Sequence, residues 1–345
     1  MKDDRDDWSR WELLKGTAAI ATAGWLGLRA EDVAAQPSRA SGQLPEIRSV
    51  RFTTYPAACI APQWVAEDLL RGEGFAEVAY VEVPDGQLTI QAMAAGRADF
   101  SIEAAPAIPF YVDAGLPVVA LTGLHTGCFE LFGNAGAKSV RDLLGKRVCV
   151  TAENDERHLF VAIMLTHVGV NPSRDVRWHF RPSAEGMQLF ADGKVDAFLG
   201  FPPDPQELRA RKIGHVIVNT LTDRPWSNYF CCMLTANRAF VQHYPIATKC
   251  VVRSLLKAAA VCETEPARVV QMLAAKGYER RSGFALELLK QLPYGGWRAF
   301  SPDDTLRFYA LRLHEAGLTK SSPQKILAQG ADWHFLNELK KELRV

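Results

Sequence analysis

The stretch "HTGCFELFGN" (residues 125–134) puts His125, Cys128 and Glu130 within six positions. A second stretch, "NYFCCML" (228–234), adds the adjacent pair Cys231 and Cys232. Imidazole and thiolate together can hold a soft metal. A thiol beside an imidazole can act as a nucleophile, and two thiols in reach can form a disulfide. Each chemistry meets an objection. H-x-x-C and adjacent cysteines do not match a common zinc spacing, and no third group is evident to orient a Cys128–His125 pair. Strand neighbours point to opposite faces, so only one of Cys231 and Cys232 should face a cleft. A disulfide from Cys128 to Cys231 or Cys232 requires the two stretches to pair. The plainest reading is packed thiols, with no metal and no cofactor, and with His125 and Glu130 as candidate ligand contacts. The chain has seven cysteines, an odd count that leaves one unpaired and does not resemble a dense disulfide framework. Cys149 and Cys262 lie in apolar strand and helix patterns and read as small buried hydrophobes.

What positions these residues depends on the whole chain. It has 345 residues and is 48% hydrophobic, enough for two domains. The formal net charge is +1 and no basic run or nucleic-acid motif appears, which argues against a nucleic-acid partner. The N-terminus reads as an export signal over residues 1–35: basic Arg10 and Lys15, an Ala- and Gly-rich apolar run, then Val33 and Ala35 before a cleavage point. "SRWELLK" is similar to the twin-arginine export motif, with Trp11 in place of the second arginine. Residues 36–45 read as a polar linker. The expected location is therefore periplasmic or exported.

From Ile47 onward, strand and helix patterns alternate. "IRSVRFTTY", "AEVAYVEVP", "FSIEA" and "PVVALTGL" read as strands separated by helical stretches, and a second series runs from "SVRDLLGKRVCVTA" to "HVIVNT". Such alternation predicts parallel sheets built from βαβ units. After "NYFCCMLTA" the pattern turns helical, and its apolar stripes need a surface to cover. One echo stands out. "AAGRADFSI" (94–102) and "ADGKVDAFLG" (191–200) share a helix end, a glycine, a basic residue, an aspartate and an apolar strand. Gly96 and Gly193 suit the left-handed close of a helix, and Asp99 and Asp196 stand at strand entrances. The echo predicts two lobes of similar construction.

The echoed "GRADFSIEAAPA" and "GKVDAFLGFPPDP", the lobe lengths and the helical tail resemble the ABC-transporter substrate-binding proteins of the nitrate, sulfonate, taurine and thiamine-pyrimidine-precursor type. The resemblance implies an α/β fold of the type II periplasmic-binding-protein kind, with two doubly wound sheets joined by two crossing strands. Lobe one would comprise residues 46–133 and 232–345, with the helical tail packed on it, and lobe two residues 134–231. The crossings would fall at "CFELFGN" and "NYFCCML". It further implies a monomer that captures a small organic or anionic molecule in the cleft and delivers it to an ABC permease in the membrane, with no catalytic residue. Two other functions sit on the same scaffold: an enzyme related to pyrimidine synthesis, and a sensory ligand-binding module.

Ligands in open α/β sheets sit beyond the carboxyl ends of strands, where helix N-termini favour anions. That rule selects Thr53, Thr54 and Tyr55 after the first strand, and Glu103 and Ala104 after the third. In the second series it selects Asn154 and Asp155 in "TAENDERH" and Phe201 in "GFPPDP". Trp226, Asn228 and Tyr229, entering the second crossing, combine stacking area with hydrogen-bonding groups. Thr, Asn and Asp at such places also serve simply as helix caps. Asp155 and Glu156 suit the positive end of a helix, while their acidity would favour a ligand with an amine or a protonated nitrogen. No Gly-rich phosphate loop, H-E-x-x-H or G-x-S-x-G motif is present.

Overall fold

The computed structural model describes residues 43–55, 57–83 and 89–343. The expected export signal and most of the linker lie outside the described residues. Two five-stranded sheets organise the chain. The first holds β1 (Ser49–Thr54), β2 (Glu77–Glu82), β3 (Phe100–Ala104), β4 (Val118–Thr126) and, from much later in the chain, β10 (Phe230–Asn237). The second holds β5 (Glu130–Gly133), β6 (Arg147–Val150), β7 (Arg177–Phe180), β8 (Ala197–Gly200) and β9 (His215–Asn219).

The strand orders are β2-β1-β3-β10-β4 and β7-β6-β8-β5-β9. Each sheet is mixed where the sequence predicted parallel sheets. β10 runs antiparallel to β3 and β4, and β5 antiparallel to β8 and β9. The reason is topological. β5 and β10 are the two strands the chain enters on leaving the other sheet, so each inserts head-down between strands built by local βαβ winding.

The echoed segments carry a matched device. Asp99 accepts from the backbone N–H and the guanidinium of Arg51 on β1, at 2.7–3.2 Å. Asp196 accepts from the same three donors of Arg147 on β6, at 2.9–3.0 Å. Gly96 and Gly193 adopt φ of 71° and 69°, the left-handed close of the preceding helix. In both sheets, then, a helix stop feeds an aspartate that clips two strands together, β3 to β1 in the first and β8 to β6 in the second.

The chain passes between sheets at residues 127–129 and again at 220–229. Thr220 binds these passages together. Its hydroxyl donates to the Phe129 carbonyl (2.9 Å) and accepts the Phe129 N–H (3.1 Å). Gly127 sits at φ 74° with Leu221 2.7 Å from where a Cβ would stand, so both conformation and space exclude a side chain there.

The C-terminal helices cover the first sheet, and some of them also reach the elements around the second. Pro302–Glu315 sets Tyr309 edge-on to Phe160 (5.8 Å between centroids) and Phe308 against Trp226 (5.9 Å). Phe160 belongs to the helix Glu156–His167 that follows β6.

Candidate functional site

A cavity of about 400 Å3 opens between the two sheets. From the first sheet its wall takes Tyr55, Thr89, Glu103, Ala104 and Cys232. The second contributes Glu156, Arg157, Ser183, Ala184, Met187 and the loop Phe201–Pro203, with Asp204 and Glu207 behind it. Arg281 closes the rim. The wall is formed by loops at the carboxyl ends of β1, β3, β6 and β8, where the winding of each sheet leaves room for a ligand.

Glu103 is buried, and one carboxylate oxygen accepts from the hydroxyls of Thr89 and Ser101, each at 2.5 Å. Ser101 in turn shares a 2.5 Å hydrogen bond with Thr53. Burial raises the Glu103 carboxyl to about 7, although both hydroxyls pull it down. Across the cavity, Glu156 opens the helix Glu156–His167, and burial followed by the charge of Asp155 raises its carboxyl to about 8. Arg157 donates to Ser183 Oγ (2.8 Å) and lies 3.6 Å from Asp204, which also accepts from Ser183 (2.6 Å). Its guanidinium stands 5.7 Å from the Phe201 ring centroid. Tyr55 faces Phe201 at 6.1 Å, an aromatic pair with one ring from each sheet.

Charge in the cavity is therefore divided. Arg157 is matched by Asp204, and Arg281 by Glu207 at 3.1 Å. Glu103 and Glu156 have no ion-pair partner among the described residues. Burial raises both carboxyls, and a cationic or donor group placed beside them would favour their ionised form.

Of the residues selected from sequence, Tyr55, Glu103, Ala104 and Phe201 line the cavity. The others sit elsewhere, each for a physical reason. Thr53 is turned into its bond with Ser101, and Thr54 accepts from Gln63 (3.3 Å). Asp155 caps its own helix, accepting from the His158 N–H (2.8 Å) and the Ala152 N–H (2.9 Å). Asn154, at φ 63°, contributes its carbonyl to the Tyr111 hydroxyl (2.7 Å). Glu130 is taken up by Arg209. Trp226 packs edge-on to Phe160 and His167, Tyr229 stacks on Phe308 at 4.0 Å, and Asn228 is exposed. These last three belong to the joint between the sheets. Sequence reasoning weighed the acidity of Asp155 and Glu156 in "DERH" as suited to an amine but selected only Asp155, and it missed Arg157. Asp204 lies inside the named loop "GFPPDP" but was not selected. Arg281 carried no signal, because only the folded chain brings it to the rim.

His125 and four of the cysteines gather beneath the cavity floor. Cys128 Sγ lies 2.9 Å from Cys231 Sγ, and Cys231 Sγ 3.9 Å from Cys232 Sγ. Both adjacent cysteines reach the cluster, contrary to simple alternation, because the pairing of β10 with β4 slips on either side of Cys232. Burial pushes the thiols of Cys59, Cys128 and Cys231 well up, while hydrogen bonds from Cys128, Cys231 and Cys59 hold Cys232 well down.

Residues 43–275 match the NMT1-like family model. The chain belongs to that family. No curated protein matches it in sequence. Among solved structures, the fold is shared with the periplasmic nitrate-binding protein NrtA from Synechocystis PCC 6803, at 14% identity and a TM-score of 0.75, covering 87% of this chain and 90% of that one. It is also shared with the alkanesulfonate-binding protein SsuA from Xanthomonas axonopodis pv. citri bound to MOPS, at 18% identity and a TM-score of 0.66, covering 80% and 96%. A desulfurization enzyme, DSZB, matches at 18% identity and a TM-score of 0.56, covering 86% and 99%. At these identities the likeness is one of fold. Among the described residues no helix is long and apolar enough to cross a membrane.

Proposed function

We propose that this chain is the solute-binding component of an ABC importer, taking a small organic molecule into the cavity between its two lobes. The residues of the second sheet, 130–219 rather than the 134–231 expected from sequence, form the lobe that closes on the remainder, and the partner is a membrane permease. The chain acts outside the cytoplasm, as a monomer, without chemistry of its own. One observation carries this reading: a single cavity is walled by Tyr55 and Glu103 from one sheet and by Glu156 and Phe201 from the other. A solute touching both walls favours the closed arrangement by its differential affinity, and nothing further is needed for capture.

The same wall favours a class of solute. Its two arginines are matched, while Glu103 and Glu156 offer oxygen without a cation. A ring-bearing molecule with a donor nitrogen, such as an amine or a protonated heterocycle, satisfies those carboxyls and fills the gap between Tyr55 and Phe201. Simple anions, suggested by helix ends alone, suit it less well.

Thermal-shift and X-ray scattering measurements on the purified chain test this against a panel of organic amines, nitrogen heterocycles, sulfonates and nitrate. A solute at a hundred times its Kd adds about 2.7 kcal/mol to stability. The expected outcome is a rise in Tm with compaction for a nitrogenous organic molecule, weakened about tenfold or more by Glu103→Gln. Absence of any stabilising solute across all four classes would overturn the reading. A response to sulfonates or nitrate alone would overturn its solute class.

A further inference from the structure

The group beneath the cavity floor draws on four separate segments. Cys59 comes from the short turn Ala58–Ile60, His125 from the end of β4, Cys128 from the first passage, and Cys231 and Cys232 from β10. Cys59 and His125 are 0% exposed and Cys232 is 1% exposed. The ligating atoms of Cys59, His125 and Cys232 all lie within 4.8 Å of one another. A single ion with ligand bonds of about 2.0–2.3 Å spans such a triangle.

The imidazole supplies an independent pointer. His125 Nδ1 lies 3.3 Å from the Thr126 carbonyl, while Nε2 is buried with no hydrogen-bond partner. A neutral imidazole donating from Nδ1 carries a lone pair on Nε2, the orientation a backbone carbonyl gives to metal-binding histidines. A buried nitrogen left without a partner costs about 1–3 kcal/mol. An ion at Nε2 removes that cost.

We propose that Cys59, His125 and Cys232 form a binding site for a thiophilic closed-shell ion, Zn2+ being its representative. Two thiolates and a neutral imidazole cancel the charge of a divalent ion, which suits a site this deeply buried. Binding proceeds by loss of one proton from each of Cys59 and Cys232, with no change of oxidation state. Cys232 also lines the solute cavity, which gives the ion an entry route. Cys128 and Cys231, whose sulfurs also lie within 4.8 Å of the Cys232 sulfur, stand beside the site. The site does not depend on the solute reading, because its test uses metal alone.

The full chain, reduced and stripped of metal, is titrated with Zn2+ against a chromophoric chelator. One equivalent per chain is expected, with a rise in Tm and, for Co2+ in its place, the visible absorption of thiolate ligation. Cys232→Ser and His125→Gln are expected to lower affinity by about 10–100-fold, while Cys250→Ser and Cys262→Ser, buried outside the cluster, leave it unchanged. Should the first two variants fail to fold, zinc-edge absorption of the unmodified chain reads the ligands directly, with two sulfurs and one nitrogen expected. Less than stoichiometric Zn2+, affinity unchanged in Cys232→Ser, or a spectrum without sulfur overturns the site.

Discussion

Glu156 illustrates how far a single side chain departs from what its neighbours suggest. Asp155 and Glu156 both suit a helix start, yet Asp155 spends its oxygens on the Ala152 and His158 N–H groups while Glu156 faces the cavity. Burial, the charge of Asp155 and that of Glu103 raise its carboxyl to about 8, against the pull of Arg157. The folded chain therefore holds this proton where the unfolded chain has released it. The resulting stability is full below the ordinary carboxylate range and declines as pH rises through about 8. Glu156→Gln removes that decline. Because the cavity admits solvent, we expect the variant to gain roughly 1–2 kcal/mol at pH 9, or about 2–6 °C in Tm, and to match the parent near pH 4. Melting curves from pH 4 to 9 check this, and parallel curves for the two proteins would refute it. At this scale the sequence was legible where a strand's carboxyl end named the loop, as for Tyr55, Glu103 and Phe201. It was not legible where a polar residue had two employers. Thr53, Asn154 and Asp155 could each have met a ligand, and each found a local backbone or side-chain partner instead.

At the scale of elements, the echoed helix–Gly–strand joints proved the most readable feature, and the fold gives them a physical reason. Asp196 joins β8 to β6 through three bonds from Arg147 and accepts a fourth from Asn134 Nδ2 (2.9 Å). These donors, the Arg147 guanidinium first, hold its carboxyl well below the usual range. A depressed acid contributes stability above its unfolded value and loses it as pH falls through the folded one. Asp196→Asn is expected to cost roughly 1–2 kcal/mol at pH 7, discounted because Arg147 is partly exposed, with the gap narrowing once the pH falls below about 4. Denaturant unfolding at pH 7 and pH 3 measures it, and an equal gap at both would refute the linkage. What periodicity could not reveal was strand direction. β5 and β10 read as ordinary strands, and only their entry from the opposite lobe turns them antiparallel. Nor could alternation foresee the slipped pairing at Cys232, which turns two neighbouring thiols towards one cluster.

For the molecule as a whole, the proposed function needs a balance between open and closed arrangements, and two unlike joints join the lobes. One is apolar: Tyr309 and Phe308 pack on Phe160, Trp226 and Tyr229 next to the passages. Such contacts are buried and insensitive to salt. The other is ionic and lies at the rim. Arg281 pairs with Glu207 (3.1 Å), and Arg209 with Glu287 (2.7 Å), so that helix Ser282–Gln291 is clasped to helix Asp204–Ala210. Exposed pairs of this kind contribute about 0–1 kcal/mol each and are screened at high ionic strength. A clasp that weak can bias closure without fixing it, as release of a solute requires. Combining Arg281→Ala with Glu287→Ala should leave Tm within about 2–4 °C of the parent yet enlarge the radius of gyration of the solute-free chain. Adding about 1 M salt to the parent should enlarge it in the same direction, because screening acts on the same two pairs. Scattering curves that stay superimposable after both treatments would place the whole of the closing force in the aromatic joint, and variants at Phe308 rather than at the rim would then govern opening.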